Sequence, residues 1–151
     1  MKRQTDLHLI GYIAKYGCFF MCMTYWLNLK VKNSELAYDF LNTIWMTAIQ
    51  KGIISGDVNK DGDMDDGNEL LILDKNKLLI LAGLDMGYIG SFDPKVVEKK
   101  SGVYFIGEFY CEDTKFTHFA GLDENLKCVY DPILNSNTVK NGVLKSVRVF
   151  G

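Results

Sequence analysis

Hydrophobic residues follow two regimes along this chain, and the change comes near residue 101. Up to that point they cluster or recur every three to four residues, the helical period. Beyond it they alternate with period two, as in strands. Residues 18–29 are apolar on every face, through Phe19, Phe20, Met21, Met23, Tyr25, Trp26 and Leu27, which predicts a central, buried helix. Residues 1–6 are polar, and residues 6–16, a lead-in with His8, have room for a short helical turn. Val31-Lys32-Asn33-Ser34 reads as a turn, with Asn33 or Ser34 capping a second helix and Glu35 and Asp39 in its N-terminal half. Leu36, Phe40, Ile44 and Ala48 recur at four-residue spacing beside Ala37, Leu41 and Trp45, and predict its buried stripe. Lys51 and Gly52 end it. Asp74 caps a third helix, residues 75 to about 85, with Leu78, Leu79, Leu81 and Ala82 inward. Gly83, Gly87 and Gly90 then break the chain into turns up to Pro94, and residues 95–100 read as a charged surface segment.

Strands follow. Val103, Phe105 and Phe109 alternate with Tyr104, Ile106 and Tyr110. Phe116, His118, Ala120 and Leu122 alternate with Thr117 and Phe119, and Leu126, Cys128 and Tyr130 with Val129. Asp123-Glu124-Asn125 joins the last two as a hairpin. Asn141-Gly142 is a turn dipeptide before a final strand, residues 143–150. Helices first and antiparallel strands after is the α+β pattern, expected as one domain over residues 1–151.

Composition narrows the function classes. The chain has 151 residues, 48% of them apolar, and a net charge of −2 with acids and bases intermixed. It lacks the clustered Lys/Arg of a nucleic-acid footprint. The apolar run 10–29 is interrupted by Lys15, Gly17, Thr24 and Asn28, and reads as neither signal peptide nor membrane span. The four cysteines are Cys18, Cys22, Cys111 and Cys128. Cys18 and Cys22 lie four apart on one helix, a poor geometry for a disulfide, and no CxxC or HxxxH spacing marks a zinc site. Reduced thiols in a cytoplasmic protein are the expectation.

Three residues then stand out as chemistry. Cys18 opens the apolar helix, where unpaired N–H groups and the positive helix end favour thiolate. Gly17 before it leaves room for a substrate backbone, and the Cys18 amide is an oxyanion donor in waiting. His118 is one of two histidines; His8 is the other. Folding the hairpin about Glu124 places Tyr130 or Asp131 opposite His118, so Asp131 faces it, about 5 Å away, or is its diagonal neighbour. A carboxylate beside an imidazole fixes its tautomer, and an oriented imidazole is what a nucleophilic thiol requires. Read singly, each of the three is an ordinary core or turn residue; the ordered set is what points to chemistry.

A helix opening with Gly17-Cys18, a later strand with His118-Phe119 and a neighbouring strand ending Tyr130-Asp131-Pro132 together resemble the papain-like cysteine peptidases. The likeness is nearest to the branch that processes double-glycine leader peptides. It implies a papain-like fold with Cys18 as nucleophile, His118 as general base and Asp131 as orienting group, acting on a peptide or protein substrate without a cofactor. The family usually carries a Gln about six residues before the cysteine. Tyr12 holds that place here, and Phe19-Phe20-Met21 replaces the small residues usual after the cysteine.

The second unusual stretch is acidic, residues 56–69. Asp57, Asn59, Asp61 and Asp65 fall at positions 1, 3, 5 and 9 of an EF-hand-type loop, with Gly62 at the sharp turn. The twelve residues resemble EF-hand and dockerin loops, which implies Ca²⁺ held by Asp57, Asn59, Asp61, Asp63, Asp65 and Asn68. Asn68 stands where a bidentate Glu is usual, and Glu69 comes one place late. Calcium bound there would tie down the loop away from the chemistry; a solvated acidic surface loop is the other reading. For the whole chain the leading expectation is a cysteine peptidase or amide hydrolase. The alternatives are an inactive papain-like binding module and a thiol-dependent amide hydrolase or transferase acting on small molecules.

Overall fold

The computed structural model describes residues 2–30, 37–64 and 66–151. The first half supplies helices α1 (Gly11–Tyr16), α2 (Cys18–Lys30), α3 (Tyr38–Gln50) and α4 (Lys75–Leu81). The second half supplies β1 (Tyr88–Phe92), β2 (Tyr104–Cys111), β3 (Phe116–Leu122), β4 (Cys128–Tyr130), a short helix α5 (Asn137–Asn141) and β5 (Val143–Phe150). The strands form one antiparallel sheet in the order β1-β5-β2-β3-β4. The molecule is thus α+β, with helices N-terminal and the sheet C-terminal.

Helix α2 lies between α3 and the sheet, which is why it is apolar all round. On one side Phe20 meets Trp45 edge-on at 5.2 Å. On the other, Phe19 meets Phe119 at 5.3 Å and Tyr25 stacks on Tyr130 at 4.6 Å. Full burial of a side chain such as Phe20, 1% exposed, contributes roughly 1.5–3 kcal/mol. Alternation in β2 serves two cores. Ile106 joins the helical core with Phe20, Trp45 and Phe150. Phe105 and Phe109 point to the opposite face, where Leu122, Val147 and Val149 form a smaller core. Among the described residues, no helix is long and apolar enough to cross a membrane.

Five details differ from the sequence expectation. Helix α3 starts at Tyr38, after Ala37, which offers no side-chain cap; Asn33, Ser34, Glu35 and Leu36 lie outside the described residues. Its buried stripe is Leu41, Ile44, Trp45 and Ala48, while Phe40 is exposed. With 3.6 residues per turn, strict four-residue spacing drifts by about 40° per step, so positions 36 to 48 cannot share one face. Helix α4 stops at Leu81 because the chain turns left-handed at Gly83, φ +78°. Strand β1 was hidden in the glycine-rich stretch: it is an edge strand, mostly open to solvent, held by β5 alone. Helix α5 was hidden by Asn141-Gly142. That pair ends a short helix capped by Ser136, whose hydroxyl accepts the Val139 N–H at 3.2 Å.

Gly142 is required by close approach. A Cβ there would overlap the Thr138 carbonyl oxygen and lie 2.8 Å from that of Tyr110, both backbone atoms. Gly142→Ala is therefore expected to cost about 1–3 kcal/mol by overpacking, read as a lower urea midpoint at unchanged slope.

Candidate active site

Gly17 joins two helices. Its N–H bonds back to the Ile13 carbonyl at 2.8 Å, closing α1, and its carbonyl accepts the Met21 N–H at 2.8 Å, opening α2. Its bare Cα faces Ile13, since a Cβ would lie 2.5 Å from that residue's carbonyl oxygen. The missing side chain thus makes room for α1, not for a substrate as the sequence suggested. Cys18 is the first residue of α2, so its N–H is among those without an intrahelical acceptor. The Ala14 carbonyl, four residues earlier, accepts the buried Gln4 side-chain amide at 2.7 Å.

The sheet brings His118 to this helix end. His118 is 1% exposed on β3, and its Nε2 lies 2.8 Å from Asp131 Oδ1. A carboxylate only accepts, so Nε2 bears the hydrogen. The remaining ring nitrogen, Nδ1, is buried with no regular hydrogen bond. The Cys18 thiol stands close enough to act on the ring's protonation. Burial disfavours the charged ring, but the Asp131 bond and then the Cys18 thiol outweigh it, raising His118 from 6.5 to about 9. Burial likewise raises Asp131. The bonds from His118, Ser136 and Ile133 outweigh that and bring it from 3.8 down to about 2.

Cys18, His118 and Asp131 are thus gathered at one place, though not by the register expected. Gly121 pairs with Tyr130, the chain bulges before Leu122 pairs with Cys128, and His118 pairs with Phe109 on β2. The connection is also longer than two or three residues: the Asp123 N–H reaches the Lys127 carbonyl, and Leu126 is left-handed. Asp131 lies beyond the end of β4 and reaches His118 because the chain turns there. Its Oδ1 accepts the Ile133 N–H at 3.0 Å and its Oδ2 the Ser136 N–H at 2.7 Å.

The sequence reading missed the partners that fix this turn. The Gln4 N–H bonds the Pro132 carbonyl at 2.9 Å, the Tyr130 hydroxyl donates to the Lys2 carbonyl at 2.9 Å, and the Arg3 guanidinium donates to the Asp131 carbonyl. These are single polar residues with no periodicity to betray them. His8 takes no part; it is exposed and packs against the Tyr38 ring at 5.0 Å. Tyr12 donates its hydroxyl to Asp63 at 3.2 Å.

A cleft of about 520 Å³ opens at Cys18, between α2, the sheet and the chain segment 70–73. The bulk of Phe19 and Phe20 does not close it, because both rings are buried in the core.

The acidic loop lies beside α1, through Tyr12 and Asp63, and its continuation lines the cleft. Its side chains are engaged in closing the loop on itself. Asp57 accepts the N–H groups of Asp61 and Gly62, Asn59 Oδ1 also accepts that of Asp61, and Asp61 accepts that of Asp63. Asn68 is exposed, whereas Glu69 is buried and accepts the Val58 and Asp66 N–H groups at 2.9 and 3.0 Å. Asp65 lies outside the described residues. Among the described residues, no three Asp, Glu, His or Cys side chains converge as a metal-ligand group. All four cysteines are free thiols.

A family model described as "Protein of unknown function, DUF261" matches residues 1–151. The chain belongs to that family. No curated protein and no solved structure matches it.

The His118–Asp131 pair makes stability depend on pH. The raised histidine stabilises the fold fully below 6.5 and loses that contribution as pH rises through about 9. The lowered aspartate contributes fully above 3.8 and loses its part as pH falls through about 2. Asp131→Ala removes one member of a buried pair and two N–H acceptors, and is expected to cost about 3–5 kcal/mol. Urea titrations should show the largest gap from wild type between pH 3.8 and 6.5, narrowing on either side.

Proposed function

We propose that this protein is a papain-like cysteine peptidase or amide hydrolase that attacks through Cys18. One observation carries the reading. A buried imidazole is held by Asp131 through Nε2, and the Cys18 thiol, at a helix start, stands beside the ring and acts on its protonation. The order of elements supports it too: a helix opening with the cysteine packs on an antiparallel sheet that bears the histidine.

The step runs as follows. The Cys18 thiolate attacks the substrate carbonyl carbon and forms a C–S bond, and the oxyanion develops near the Cys18 N–H. As the tetrahedral centre collapses, the C–N bond breaks, and the imidazolium gives the departing nitrogen the proton from Nδ1. A water then loses a proton to the neutral ring and attacks the thioester, releasing the acid and restoring the thiol. Asp131 keeps its charge throughout and holds the ring's orientation.

A second reading, an inactive papain-like binding module, is favoured by Tyr12. Its hydroxyl is committed to Asp63, so the usual side-chain oxyanion donor has no replacement at that position.

One experiment separates the two. Cys128 is exposed and Cys18 only half-exposed, so access alone makes Cys128 the faster thiol towards iodoacetamide. In mildly acidic buffer an assembled dyad makes Cys18 react about tenfold or more faster, read by mass spectrometry. His118→Ala should remove that advantage, and also lower any peptide turnover by about 10²–10⁴. Cys18 reacting no faster than Cys128 in the wild type leaves the binding module standing and sinks the hydrolase.

A further inference from the structure

Resting on the hydrolase reading, we infer that the cleft at Cys18 takes a peptide with a bulky apolar side chain at the reacting bond and a carboxylate close by. The cleft walls are aromatic and aliphatic, with Phe19 and Phe119 on one side and the segment 70–73 on the other. Leu71 and Leu73 lie in that segment with 48% and 63% of their surface open, so large apolar groups stand uncovered beside the nucleophile. An occupant that covers them is itself apolar, since a polar one would lose its hydration without replacement.

Charge sets the second requirement. Among the described residues, two cations, Lys75 and Arg148, line the cleft, and no Asp or Glu does. Arg148 is already met by Glu108 at 2.5 Å and lies over the Phe119 ring at 5.1 Å. Lys75 has its ammonium over the Tyr88 ring at 4.9 Å. The carboxylate next to it in the chain, Asp74, is taken by Lys77, through the backbone N–H at 2.9 Å and the ammonium at 3.3 Å. The carboxylates of the acidic loop contribute nothing to the cleft wall among the described residues. Among the described residues the cleft therefore presents apolar walls and one cation that no lining carboxylate balances. A peptide with an acidic residue beside its apolar anchor supplies the missing charge, and one with a basic residue meets repulsion.

The test measures binding without turnover. Three fluorescein-labelled peptides of one length are titrated into Cys18→Ala and followed by anisotropy. One carries Leu-Leu-Glu, one Leu-Leu-Lys and one Ser-Ser-Glu at its centre. The Leu-Leu-Glu peptide is expected to bind about tenfold more tightly than either of the others. In the same background Lys75→Gln should abolish the preference for Glu over Lys, and Lys75→Glu should reverse it. Equal dissociation constants for the three peptides, no binding by any of them, or an undiminished Glu preference in both Lys75 variants would overturn the inference. Failure of the iodoacetamide experiment is a separate result. It removes Cys18 as nucleophile but leaves the apolar and acidic preference of the cleft to stand or fall on these titrations.

Discussion

The carboxylate of Asp131 is the constraint on which the site depends. A buried charge survives only where hydrogen bonds and an opposite charge replace the water it has lost. Asp131 has both, from His118 Nε2 and from the Ile133 and Ser136 N–H groups. Those bonds do more than hold an imidazole. They shape the turn after β4, and through Ser136 they tie it to the cap of α5. Val139 of α5 packs against the smaller core, so the segment that orients the ring and the segment that covers that core are one piece of chain.

Helix α2 is the other fixed point. Its sides serve α3 and the sheet, and its first residue is the thiol. A thiol mounted on a helix packed on both sides inherits the rigidity of the core, because displacing it would disturb Phe19, Phe20 and the rings packed against them. The break at Gly17 keeps Cys18 at a helix start instead of inside a longer helix. That break depends on Ile13 lying against a residue with no side chain.

The N-terminal residues bind the two fixed points together. Lys2, Arg3 and Gln4 reach the turn around Asp131, and Gln4 also reaches the Ala14 carbonyl ahead of Cys18. A stretch that is polar by composition thus bridges the elements bearing the thiol and the carboxylate. The acidic loop meets α1 through Asp63 and Tyr12 and hands the chain on to the cleft wall.

The sequence by itself determined the local elements. Apolar residues on every face made α2 a buried helix, Asp74 marked the start of α4, period-two alternation marked β2, β3 and β4, and Asn141-Gly142 marked the start of β5. Residue chemistry also picked out Cys18, His118 and Asp131, because a helix-start thiol, a rare histidine and an Asp-Pro turn are visible without coordinates. Tertiary structure decided what depends on contacts far apart in the chain. The bulge in β4 and the longer connection set which residue faces which, so His118 and Asp131 meet by a turn instead of by register. Strand β1 exists because β5 offers it an edge, and Phe40 is exposed because only one side of α3 meets α2. Leu71, Leu73 and Lys75 became neighbours of Cys18 only when the helices packed on the sheet. Periodicity reports what a residue's near neighbours in sequence allow, whereas a cleft is made by surfaces whose separation in sequence leaves no local trace.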